Sequence, residues 1–225
     1  METFYSRTEM MLGKDAVDSL RSSHVAVFGV GGVGGYVAEA LARAGIGKLT
    51  LIDSDRVSVS NINRQIIALH STVGKYKTDA MLERIRDINP DCEVISVNEF
   101  YSEENPIDLL HFNYIADCID SVKSKLHLIT EAKKADVRII SSMGAGNKLD
   151  PTRFTVADIS KTHTDPLAKV IRTELRKRGI TSLKVVFSDE PPVNSDGQRT
   201  PGSVSFVPSV VGLIIAGEII KDLAK

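Results

Sequence analysis

The chain has 225 residues, 42% hydrophobic and 25% charged, near the globular average, so it can bury one large α/β core and is no low-complexity or disordered chain. Its formal net charge of -1 excludes a global attraction to nucleic acid or anionic lipid and leaves such contacts to local patches. Cys92 and Cys118 are too few for a disulfide framework and too far apart for C-x-x-C metal spacing, which points to a reducing, cytoplasmic setting.

Residues 1–20 mix acids and bases and lack the continuous apolar core of a signal peptide. Residues 25–28 are a β-branched run ending in glycines, and 36–44 carry helix formers closed by Gly45, giving strand, turn and helix. Residues 48–53 (KLTLID) read as a second buried strand and 75–89 as a helix stopped by Pro90. Short apolar runs at 93–97 and 114–119 predict two more strands, with a helix near 107–111 between them. An amphipathic helix at 124–135 and a strand at 137–141 follow. After Gly144, strands are expected at 154–159 and 184–187 around a charged helix at 166–178. Residues 188–202 are turn-rich, polar and expected to be mobile. The apolar stretch 206–220 is shorter than a bilayer span and contains Pro208, Gly212, Gly217 and Glu218, so it reads as a core helix and no integral membrane segment is expected.

Strands alternating with helices require long crossover connections and therefore a parallel sheet. The expected fold is α/β: a Rossmann-like, mostly parallel sheet flanked by helices, with a C-terminal α+β extension. One domain spans 1–225, its nucleotide-binding core at 1–143 and a substrate-side extension at 144–225.

Gly29, Gly31, Gly32 and Gly34 fit G-x-G-x-x-G with an extra glycine, directly after a strand and opening a helix. Such a turn lets the backbone approach a phosphate, which the helix N-terminus favours. Asp53 ends the second strand where an acid accepts hydrogen bonds from ribose hydroxyls. That much would suit NAD. Beyond it, however, come Asp55, Asn61, Arg64, Gln65 and Lys77. Arg64 and Lys77 could neutralise the β- and γ-phosphates of a triphosphate, although Lys77 alone also suits a solvated helix face. Asp120, closing a later strand, is placed for Mg²⁺ or as a cap on the next helix. Asp117 reads as structural and Cys118 as packed core.

Taken together, G-x-G-G-x-G, Asp53, Asn61-x-Asn-Arg64-Gln65, Lys77 and D-x-x-D at 117–120 resemble the ubiquitin-activating-enzyme superfamily of adenylyltransferases. The resemblance implies ATP and Mg²⁺ converting a carboxylate into an acyl-adenylate. It also implies a homodimer in which Arg7 reaches the neighbour's ATP. The stretches 144–152, 158–162, 165–167 and 186–191 look like the tRNA threonylcarbamoyladenosine dehydratase branch, whose implied substrate is tRNA bearing threonylcarbamoyladenosine. Ser121 stands where the wider superfamily commonly has Asn, and no cysteine follows Cys118, which argues against a sulfur-relay partner. Lys161, Lys169, Arg172 and Arg176, with Lys177, Arg178, His163 and Lys184 nearby in sequence, could form a basic face for tRNA or simply a solvated one. Two other readings stay open: an adenylyltransferase activating the C-terminus of a ubiquitin-like sulfur carrier, and an NAD-binding oxidoreductase or regulatory module.

Overall fold

A computed structural model of the chain describes residues 3–193 and 201–225. Seven strands form one sheet: β1 (His24–Phe28), β2 (Lys48–Ile52), β3 (Glu93–Val97), β4 (Tyr114–Asp117), β5 (Ile139–Ser142), β6 (Phe154–Asp158) and β7 (Lys184–Ser188). Their order is β3-β2-β1-β4-β5-β7-β6, parallel throughout except for β6, which runs antiparallel to β7. Parallel strands need crossovers that cover both faces, which is why HVAVF and KLTLI are almost continuously apolar and buried. Alternate residues of β1 enter different cores: Val25 and Val27 on one face, Ala26 and Phe28 on the other.

The chain lays β1, β2 and β3 outward in one direction, then returns to place β4 on the other side of β1. This reversal opens a crevice beyond the carboxyl ends of β1 and β4, the switch point where open α/β sheets bind ligands. Helices α3 (Gly34–Ala44) and α4 (Lys77–Ile88) follow β1 and the β2 loop. Helices α5 (Val122–Lys134) and α6 (Pro166–Lys177) pack on the opposite face. The expected extension continues the sheet, β7 joining β5 in parallel.

Residues 206–220 do form a core helix, α7 (Phe206–Leu223), which returns to pack on α3. Val207, Val211, Ile215 and Ile219 recur every fourth residue and are fully buried. Gly212 lets the two backbones meet: a Cβ there would lie 2.8 Å from the Tyr36 Cβ and overlap the Val33 carbonyl. Among the described residues no helix is long and apolar enough to cross a membrane.

One expectation needs revision. Residues 107–111 are not helical: five residues are too few to nucleate a helix, and Asp108 Oδ1 accepts the Leu110 N–H at 3.0 Å, turning the chain so that Leu109 and Phe112 are buried. The N-terminal stretch, for which the sequence reading assigns no element, holds two helices, α1 (Ser6–Leu12) and α2 (Lys14–Ser22), joined at Gly13 with φ +87°. Of the turn-rich stretch 188–202, residues 194–200 lie outside the described residues.

Gly212→Ala is expected to cost about 1–3 kcal/mol through overpacking between α3 and α7. Urea unfolding checks this; an unchanged midpoint would contradict the close helix contact.

Candidate active site

The site begins where β1 turns into α3. Gly29 has φ +87°, and a Cβ on it would lie 2.7 Å from the Cys118 carbonyl oxygen. A Cβ on Gly34 would overlap the Gly29 carbonyl. These two glycines therefore shape the turn, and Gly34 does not line the cavity, whereas Gly31 and Gly32 do. No side chain caps α3; its Gly35 and Tyr36 N–H groups donate to the Gly31 and Val33 carbonyls, and the Gly34 N–H and the positive end of the dipole are left for an anion.

Asp53, at the end of β2, accepts the Val30 N–H at 2.7 Å and the Asp55 N–H at 2.8 Å. Burial pushes its pKa up, and Lys77 pulls it back. The carboxylate oxygens keep further lone pairs for hydroxyl donors. Lys77 is not solvated: it is 6% exposed as the first residue of α4, 2.6 Å from Asp55 Oδ2 and 3.9 Å from Asp53 Oδ2. Arg64 is half-buried; its Nη1 donates to the Ser60 carbonyl and to Asn63 Oδ1, both at 2.9 Å, and no carboxylate pairs with it among the described residues. Asn61 Oδ1 accepts the Ser58 N–H at 3.1 Å, so this atom braces the local turn. Gln65 is buried beside Gly31, with its Oε1 unpartnered among the described residues.

Beneath the crevice lies a fully buried ion pair, Lys125 Nζ to Asp117 Oδ2 at 2.8 Å, joined by the Ser141 hydroxyl. The other Asp117 oxygen accepts the Ile119 N–H at 3.1 Å and bends the chain out of β4. Asp117 is thus structural, as expected. Asp120 projects from this bend, exposed, and the cap of α5 is Ser121 instead. Cys118 lines the cavity, but burial, then the Asp117 charge, pushes its thiol up to about 12, so it is protonated at neutral pH.

The resulting cavity, about 740 Å³, brings together Gly29, Gly31, Gly32, Asp53, Asp55, Asn61, Arg64, Gln65, Lys77 and Asp120. Its far wall comes from the β5 loop and the start of α6, where Asp165 accepts the Gly144 and Ala168 N–H groups at 3.0 Å each. Phe100 and Tyr101 also line it, with nothing in their local spacing to mark them, and so does Lys148 from the 144–152 stretch, which the resemblance singles out without giving that lysine a role.

Arg7 does not reach this cavity. It is exposed on α1, whose neighbour Tyr5 packs beside Gly45 near the amino end of β2, the opposite edge of the sheet. The expected basic face is partly paired. Lys161, Lys169 and Arg176 are exposed, but Arg172 Nη1 is held by the Thr162 carbonyl (2.8 Å) and hydroxyl. Lys177 and Arg178 pair with Glu174, and Lys184 with Glu218 and Asp222 at the sheet's amino edge. Helical spacing identifies a face without revealing which cations already have partners.

The ThiF family model matches residues 5–225. The chain belongs to the ThiF family. It is 49% identical to the Bacillus subtilis tRNA threonylcarbamoyladenosine dehydratase, across 98% of this chain and 94% of that protein. The Haemophilus influenzae protein of the same name is 40% identical across 94% and 89%. The crystal structure of the Escherichia coli dehydratase in complex with ATP superposes on this ThiF-family chain with a TM-score of 0.90 at 36% identity, covering 97% of this chain and 93% of that one.

Lys125→Met is expected to destabilise the protein by about 3–5 kcal/mol, because it leaves the Asp117 charge buried and uncompensated. Adding Asp117→Asn should recover part of the loss in chemical unfolding. Equal stability of the single variant and the wild type would contradict the pairing.

Proposed function

We propose that this chain uses ATP to adenylate the carboxylate of threonylcarbamoyladenosine in tRNA and closes it to the cyclic form. The observation that carries this reading is one cavity holding an uncapped helix N-terminus, a ribose-suited acid and two cations, in a chain matching named dehydratases almost end to end. A dinucleotide oxidoreductase has no evident need for Arg64 and Lys77 beyond its ribose acid. The two relatives named above are dehydratases, which favours the tRNA substrate over a carrier protein.

In this reading Gly31, Gly32 and the α3 terminus take the phosphates, and Asp53 takes ribose hydroxyls. Arg64 and Lys77 neutralise the charge that grows on departing pyrophosphate. Lys77 must then exchange part of its contact with Asp55 for phosphate, a short movement for a flexible side chain. Gln65 offers an unused acceptor and Asn61 its amide. Asp120 fits Mg²⁺, which binds through one or two carboxylates plus phosphate oxygens; held there, the ion would screen charge on the triphosphate.

A carboxylate oxygen attacks the α-phosphorus and pyrophosphate leaves. The neighbouring carbamoyl group then attacks the acyl carbon, AMP departs with that oxygen, and the carbamoyl N–H loses its proton. Adenylation replaces hydroxide with a better leaving group, and proximity within one nucleoside lowers the entropy cost of closure. No enzyme nucleophile is needed, consistent with the protonated Cys118. Residues 144–225 form the substrate side, and the exposed Lys161, Lys169 and Arg176 meet tRNA phosphates. Arg7 completes the nucleotide site of a second copy in a homodimer working in the cytoplasm.

Incubation with ATP, Mg²⁺ and threonylcarbamoyl-bearing tRNA, read by nucleoside mass spectrometry, should show loss of water with AMP formed. Arg64→Ala or Asp120→Ala should lower turnover by about 10²-fold or more with unfolding curves unchanged. Full activity in either variant would reject its assigned role.

A further inference from the structure

Among the described residues three lysines are buried: Lys77, Lys125 and Lys148. The first two sit against carboxylates, Asp55 at 2.6 Å and Asp117 at 2.8 Å. Lys148, 3% exposed, has no carboxylate partner among the described residues; its Nζ donates to the Glu190 main-chain carbonyl at 2.7 Å. The Glu190 carboxylate is turned to another task, its two oxygens accepting the Leu149 and Asp150 N–H groups at 3.0 and 3.1 Å. Among the described residues this buried ammonium is answered by one carbonyl, which leaves two donors and a charge without a partner there, a costly state that an incoming anion relieves.

Lys148 lies on the loop after β5, on the wall of the cavity. The glycine turn follows β1, Asp120 follows β4, and β1, β4 and β5 are successive neighbours in the sheet. At about 4.8 Å per strand, the β5 loop starts about 10 Å along the sheet edge from the phosphate turn, with the Asp120 bend between them. That spacing leaves room for an acyl group beside the α-phosphate. We infer that Lys148 is the substrate-side counter-charge, holding the carboxylate of the threonylcarbamoyl group for attack on the α-phosphorus. After adenylation the same ammonium sits against the acyl oxygen, where negative charge grows as the carbamoyl group attacks. This inference rests on the dehydratase reading of the site.

Its test compares binding of two tRNAs, with and without the threonylcarbamoyl group, to full-length wild type, Lys148→Met and Lys148→Arg. Wild type should bind the modified tRNA more tightly. Lys148→Met should lose about tenfold or more of affinity for the modified tRNA alone, while its affinities for unmodified tRNA and for ATP stay within about twofold. Lys148→Arg, which keeps the charge, should restore part of the margin. If Lys148→Met weakens both tRNAs alike, or weakens ATP, the lysine merely braces the Glu190 segment and the proposal fails. It fails also if wild type does not distinguish the two tRNAs. Wild-type turnover of modified tRNA, measured alongside, separates these results: dehydration with an unaltered Lys148→Met overturns the inference alone, and its absence overturns the functional reading as well.

Discussion

The contact between the Gly29 backbone and the Cys118 carbonyl is the constraint on which the site depends. A side chain at Gly29 would sit 2.7 Å from that oxygen, and one at Gly34 would overlap Gly29 itself. With both positions bare, the β1–α3 turn and the β4–α5 turn pack backbone to backbone. The helix terminus suited to phosphate is thereby held next to the bend that presents Asp120. The reversal of strand order places these two turns side by side, and their glycines let them touch.

Charge is then distributed along the sheet's carboxyl edge according to what each position must do. Lys125 is locked to Asp117 and supports the bend without facing a ligand. Lys77 is shared between Asp55 and Asp53, an arrangement that keeps a buried cation tolerable before a triphosphate competes for it. Arg64 leans on neutral oxygens only, so its charge is available. One fold thus supplies a fixed ion pair for rigidity and more loosely satisfied cations for binding. The protonated Cys118 beside them removes a thiolate from the chemistry.

Much of this was legible in the chain. Strands β1 and β2 stand out because a parallel strand, buried on both faces, must be apolar almost without interruption, and the glycine turn between β1 and α3 has a meaning only in that position. The helix expected at 107–111 failed because five residues cannot nucleate one against the Asp108 turn. Helix α2 escaped notice since its apolar stripe, Ala16, Val17 and Leu20, is diluted by charges on the exposed face. Within the basic face, Lys184 is paired by Glu218 and Asp222 and Lys177 and Arg178 by Glu174, partners that periodicity does not reveal, whereas Arg172 rests on neutral Thr162 oxygens and keeps its charge. Lys148 lies in the 144–152 stretch, but its environment is not legible there, because the carbonyl that receives its Nζ belongs to Glu190, 42 residues away.

The central claim is that the substrate's own carboxylate takes the adenylyl group. Threonylcarbamoyl-bearing tRNA with ¹⁸O in that carboxylate, turned over once with unlabelled ATP, tests it directly. The account requires one labelled oxygen in the phosphate of the AMP released. Label recovered only in water or inorganic phosphate, with unlabelled AMP or with ADP as product, would contradict it.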